Sequence, residues 1–196
     1  ASQRENYSIG FTEPYFMDTK WSVGGLVYKT LSEYIPTFDF ERVGFDLRVG
    51  YTIYSYTRAY LTYSYRDTKV KDIKVVGLQE EKESGVASGV EASLVHDKRN
   101  NSFEPTNGYW GSAAVEYVGV GGDFDWVKNE LEGRYYKTIW EDLVFRSRVR
   151  FAQLFETQGD IPRSEKFSMG GPRNMRGFGV EGVGPKQRLK LAENNP

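Results

Sequence analysis

Few residues of this 196-residue chain are placed for chemistry. Its single histidine, His96, falls in line with Val90, Ala92 and Leu94 near the end of an alternating stretch. That is the apolar side of the pattern, a poor seat for a general base. There is no cysteine, hence no thiolate metal site and no disulfide framework. Glu130 and Glu132 come closest to a catalytic carboxylate pair, but Lys128 and Arg134 flank them on the same face. Such alternation of sign reads as an ion-pair network rather than as an acid and a base. The glycine-rich run 170–179 lacks the preceding strand, following helix and Lys-Ser/Thr pair of a phosphate-cradling loop. No catalytic, cofactor-binding or metal-binding set is expected, and no enzyme.

The elements that carry these residues read as strands. Along 42–51, Val43, Phe45, Leu47, Val49 and Tyr51 point one way while Arg42, Gly44, Asp46, Arg48 and Gly50 point the other. A period of two over this length excludes a helix. The pattern returns in 57–66, with Ala59, Leu61, Tyr63 and Tyr65 opposite Arg58, Tyr60, Thr62, Ser64 and Arg66, and in 143–151, where Arg146, Arg148 and Arg150 line one face. Weaker versions occupy about 6–16, 20–30, 86–97, 108–120 and 125–138, so the chain reads as about eight antiparallel strands. Connections at 17–20, 53–56, 105–108 and 140–142 are turn-like, whereas 31–37, about 68–84 and everything after 156 read as long loops.

The formal net charge of −1 argues against a nucleic-acid binder, which collects phosphates on a cationic face. No run approaches the roughly 18 consecutive apolar residues of a spanning helix, so entry into a bilayer requires a closed sheet. Aromatic residues gather near strand ends (Trp21, Tyr51, Tyr109, Tyr135, Trp140), as the interfacial girdles of an outer-membrane barrel require. A soluble, lipocalin-like ligand-binding barrel shares the alternation and the strand count. The two differ in which face is outside: in the membrane barrel the charged face, with Arg42, Asp46, Arg66, Glu91, Glu116 and Glu130, lines the lumen.

Three motifs follow one another along the chain. The first is Glu13-Pro14-Tyr15-Phe16 at a strand end. The second runs from Asp97 and Arg99 to Pro105-Thr106-Asn107-Gly108, a turn in which Asp97, Arg99, Pro105 and Gly108 are expected to be structural. The third is Phe167-Ser168-Met169-Gly170-Gly171 leading into Met175-Arg176-Gly177-Phe178. In this order they resemble the BamA family of outer-membrane assembly factors, with Met175 standing where the family usually has Val or Ile.

The resemblance implies an all-β, antiparallel transmembrane barrel whose eight strands are part of a roughly sixteen-stranded wall. Residues 1–196 would form a partial barrel domain with strands to about 156 and, in 157–196, a long inward-folding loop carrying Arg176. The POTRA repeats and closing strands would lie outside this chain. The resemblance further implies a non-enzymatic insertase in the outer membrane of a Gram-negative bacterium. Its partners would be membrane lipids, nascent β-barrel clients and accessory lipoproteins, with no nucleic acid or small-molecule substrate. Met175, Arg176, Gly177 and Phe178 are the functional loop residues so implied, with Arg176 held by acidic lumen residues, for which Glu116, Glu130 and Glu132 are the acids at hand. A two-partner secretion pore of the same superfamily shares the motif and is the alternative function.

Overall fold

The computed structural model describes residues 4–34, 38–71, 83–159, 161–167, 169–171, 175, 177–179 and 183. Within them the chain forms one sheet of eight strands in sequence order, each antiparallel to the next. They are β1 (Arg4–Glu13), β2 (Trp21–Tyr34), β3 (Phe38–Tyr54), β4 (Thr57–Lys71), β5 (Gly85–Asp97), β6 (Gly108–Val118), β7 (Asp125–Trp140) and β8 (Leu143–Gln158). All eight expected strands are present. Of the described connections, 14–20, 55–56, 98–107 and 141–142 lie at one end of the sheet and 119–124 at the other.

Several strands run further than alternation indicated. The expected loop 31–37 is mostly strand, since β2 continues to Tyr34 and β3 begins at Phe38. Likewise β4 reaches Lys71 and β8 reaches Gln158. Conversely, the connection that contains Pro105 spans 98–107, longer than a tight turn. The sheet hydrogen bonds persist past the apolar band, where neither face needs to be apolar and the period-two signal fades.

The register sets which side chains share a face. Arg42 lies opposite Thr68, Gly44 opposite Arg66, Asp46 opposite Ser64 and Arg48 opposite Thr62. Thr62, Ser64 and Thr68 on this side are buried, as are Thr30 of β2 and Glu116 of β6. On the other side Ile9, Phe11, Val27, Leu47, Leu61, Leu131, Val149 and Phe151 are exposed, Ile9 at 85% and Val149 at 71%. A soluble barrel has the opposite arrangement, so the lipocalin-like alternative is set aside. Lipid must cover the apolar face, which identifies this sheet as the wall of a membrane barrel.

The apolar band has edges. At the turn end Trp21 packs on Tyr51 with ring centroids 4.8 Å apart, and His96 stacks on Tyr109 at 5.3 Å. At the other end the outward face carries Lys29 and Lys71, both paired with Glu41, the second at 2.7 Å. From Ile53 to Val43 the outward face is apolar or aromatic. This is about 33 Å of strand, or about 25 Å of depth at a tilt near 40°.

Candidate functional site: the loop on the concave face

The polar face is held together by pairs across neighbouring strands. On β7 and β8, Glu132 accepts both Arg148 Nε (2.9 Å) and one terminal nitrogen of Arg148 (2.8 Å), and also Arg134 Nε at 2.6 Å. Glu130 pairs with Arg150 at 2.8 Å and with Lys128 at 3.2 Å. The series 128–134 is thus an ion-pair ladder, completed by arginines of the adjacent strand β8, and the guanidinium of Arg134 rests over the Trp110 ring at 4.6 Å. His96 faces outward, its Nδ1 2.9 Å from the Thr57 hydroxyl.

After β8 the chain turns back onto this face. Ile161 is buried in an apolar patch with Ala87 of β5, Val118 of β6 and Trp126 of β7, the last only 1% exposed. A short 3-10 turn, Arg163–Glu165, follows and brings Glu165 to β3 and β4. The Glu165 carboxylate accepts a bond of 2.8 Å from Arg42 and lies 3.7 Å from Arg66, and the Ser164 hydroxyl accepts a second Arg42 bond at 3.3 Å. Arg42 also donates to Thr68 at 3.0 Å, and Arg66 donates to Glu116 at 2.6 Å. Further along, Phe167 lies 5.2 Å under the Lys128 ammonium. Ile161 and Phe167 thus sit over β5 to β7, while Ser164 and Glu165 between them reach β3 and β4.

Around the glycine-rich motif the backbone folds on itself. Met175 N–H donates to the Gly171 carbonyl and Gly171 N–H to the Phe178 carbonyl, both at 3.0 Å, while Val183 N–H reaches the Met169 carbonyl at 3.1 Å. Gly177 sits at φ 90°, a conformation that side chains with a Cβ avoid. Met175 and Phe178 are exposed. Arg176 lies outside the described residues. Glu116, Glu130 and Glu132, the acids at hand for it, all carry partners from the wall itself.

The second motif builds the connection 98–107. Arg99 forks onto Asp97 with bonds of 2.8 and 2.7 Å and reaches the Ser102 carbonyl at 3.2 Å. This pairing raises the guanidinium pKa of Arg99 further above its already high value. Asn100 accepts the N–H groups of Thr106 and Asn107, both at 3.1 Å, and Asn101 accepts that of Phe103 at 2.8 Å. Pro105 is buried, and Gly108 at φ 106° closes the connection against Lys98. Phe103 stands at the tip, 96% exposed.

Sequence reasoning did not single out Ile161, Ser164 or Glu165. The Arg42 partner of Ser164 and Glu165 lies more than a hundred residues away, and the only local signal was an apolar residue before Pro162 in an otherwise polar stretch.

Comparison with known proteins bears on what this wall belongs to. Residues 1–194 match the Omp85 superfamily domain. The chain is 28% identical over 193 residues to the outer membrane protein assembly factor BamA of Neorickettsia risticii, covering 95% of this chain and 26% of that protein. It is 33% identical over 118 residues to a sorting and assembly machinery component 50 homolog from Bos taurus, covering 58% and 25%. The crystal structure of BamA from Haemophilus ducreyi lacking POTRA domains 1–3 superposes with a TM-score of 0.81 at 18% identity, over 93% of this chain and 39% of that one. The chain thus spans about a quarter of the length of the relatives matched by sequence.

Proposed function

The chain belongs to the Omp85 superfamily, and from that membership we propose that the protein of which it forms a barrel wall inserts and assembles β-barrel proteins in an outer membrane. The observation that carries the reading is the segment after β8, folded onto a charged concave face while the opposite face of the same sheet is apolar. A polar interior occupied by a loop is a gated space rather than a ligand cavity. Insertion is driven by strand pairing, because unpaired backbone groups are costly in lipid and an open sheet edge offers them partners.

On this reading the partners are outer-membrane lipids, nascent β-barrel clients and accessory lipoproteins, and the protein is not an enzyme. Two relatives that match over 95% of the chain are both named outer membrane protein assembly factor BamA, which favours a Gram-negative outer membrane. The chain beyond Gln158, where β8 ends, acts as the inward loop, with Met175, Arg176, Gly177 and Phe178 as its functional motif. The family resemblance gives Arg176, which lies outside the described residues, the role of anchoring that loop through a charge-assisted bond. Asp97, Arg99, Pro105 and Gly108 serve as a structural clamp at the turn end.

The test is Arg176→Ala in the full-length protein, with outer-membrane assembly of an abundant porin as the readout and heat-modifiable gel mobility as the check on folding. Several-fold less assembled porin with the variant still folded in the membrane is the expected result. Unchanged porin assembly together with lost export of one dedicated substrate would identify a two-partner secretion pore instead.

A further inference from the structure

The geometry assigns Arg42 and Arg66 as a carboxylate socket on the lumen wall, whose ligand is Glu165 of the inward loop, and makes Glu165 the positioning residue that holds the loop down. The inference rests on the reading above only in placing the concave face inside a barrel.

The socket is built from the wall, independently of the loop. Arg42 on β3 is steadied by Thr68 directly opposite on β4. Arg66 is oriented by Glu116 at 2.6 Å and lies 6.0 Å over the Trp126 ring. Glu116 satisfies one side of Arg66, whereas Arg42 has its terminal nitrogen directed at Ser164 and Glu165. Beside the two guanidinium groups lie Glu116 and, around the same cavity, Glu83. Glu165 is the carboxylate that the loop adds, within reach of both guanidinium groups, and its side chain is only 10% exposed.

Burial at this level gives the contact weight. A charge-assisted bond away from bulk water is stronger than a surface pair, and removing one partner leaves the other desolvated. Ile161, four residues earlier, packs in the same buried cluster as Ala87. Lifting Glu165 out of the socket would therefore also expose Ala87, which provides a reporter.

In the full-length protein freed of any cysteine, Ala87→Cys serves as the probe, labelled in intact cells with a membrane-impermeant maleimide. The shielded thiol should react slowly. Adding Glu165→Gln, nearly isosteric and on a loop, should raise the labelling rate about tenfold or more, as expected for losing a charged hydrogen bond. Arg42→Gln should act in the same direction, and the double variant should label no faster than the faster single, because both remove one contact. Unchanged labelling in Glu165→Gln overturns the socket, and so do single effects that multiply in the double variant. Heat-modifiable mobility establishes that each barrel is folded. Porin assembly on the same strains separates the two readings: faster labelling with normal assembly keeps the socket and removes the loop from the proposed function.

Discussion

Arg99 grips Asp97, two residues before it, with both oxygens of the carboxylate engaged at 2.8 and 2.7 Å, and then extends to the Ser102 carbonyl at 3.2 Å. The fork ties the end of β5 to the connection that leads into β6. A lysine at 99 could offer only one point of charge in place of the planar fork. Arg99→Lys should therefore lower barrel stability by about 1 kcal/mol, the pair being partly solvated, and Asp97→Asn should do the same. Urea unfolding followed by heat-modifiable gel mobility reads this, and a midpoint equal to the parent's in both variants would show the fork to be dispensable.

Gly108 tests the same connection through the backbone. Its φ of 106° is unfavourable for any residue with a Cβ, and a Cβ there would strike the Lys98 carbonyl. Gly108→Ala should cost about 1–3 kcal/mol. At Gly133 on β7 a Cβ would meet nothing within 4 Å and φ is not positive, so Gly133→Ala is the control and should fall within about 0.5 kcal/mol of the parent. Equal midpoints for the two variants would contradict the geometry of the connection.

The strands and the facing of their side chains were legible in the sequence because a membrane wall enforces alternation. Val43 through Tyr51 must meet lipid on every second residue, and Arg42 through Gly50 must not. Legibility ended where that constraint ends. Near Lys29, Glu41 and Lys71 the outward face is charged, so strand and loop look alike and the outer reaches of β2, β3 and β4 went unseen. The ladder at 128–134 was recognisable from its alternating signs, although its partners Arg148 and Arg150 depended on the β7–β8 register. Glu165 was invisible for a different reason. Its contacts to Arg42 and Arg66 are made by folding the chain across the sheet, and neither period nor spacing records that.

Glu132 sits between Arg134 and Arg148, with bonds of 2.6 to 2.9 Å to both. Glu132→Gln keeps the shape but leaves two guanidinium groups facing each other on adjacent strands, since Arg134 pairs directly with Arg148 in the register. A loss of about 1–2 kcal/mol is expected, partly relieved by salt because Arg148 is half exposed. Unfolding at low and high ionic strength measures it. A loss independent of salt would point to packing rather than charge.

The assignment of faces makes the most direct prediction. Leu47 is exposed on the outward side near the middle of the apolar band, and Leu47→Arg would place a guanidinium in hydrocarbon at a cost of about 2–4 kcal/mol. Ala114 lies on the concave side opposite Glu130, so Ala114→Lys adds a cation beside an existing anion in a polar interior. That variant should remain within about 1 kcal/mol of the parent. The two substitutions introduce the same charge and differ chiefly in the face that receives it, so unfolding from lipid bilayers compares them directly. A soluble barrel turns the apolar face inward and ranks the two charges the same way, but Leu47→Trp would overpack its core at a cost of about 1–3 kcal/mol, whereas lipid accepts the larger ring within about 0.5 kcal/mol of the parent. Destabilisation by Leu47→Trp as large as that by Leu47→Arg would therefore overturn the membrane assignment at its root.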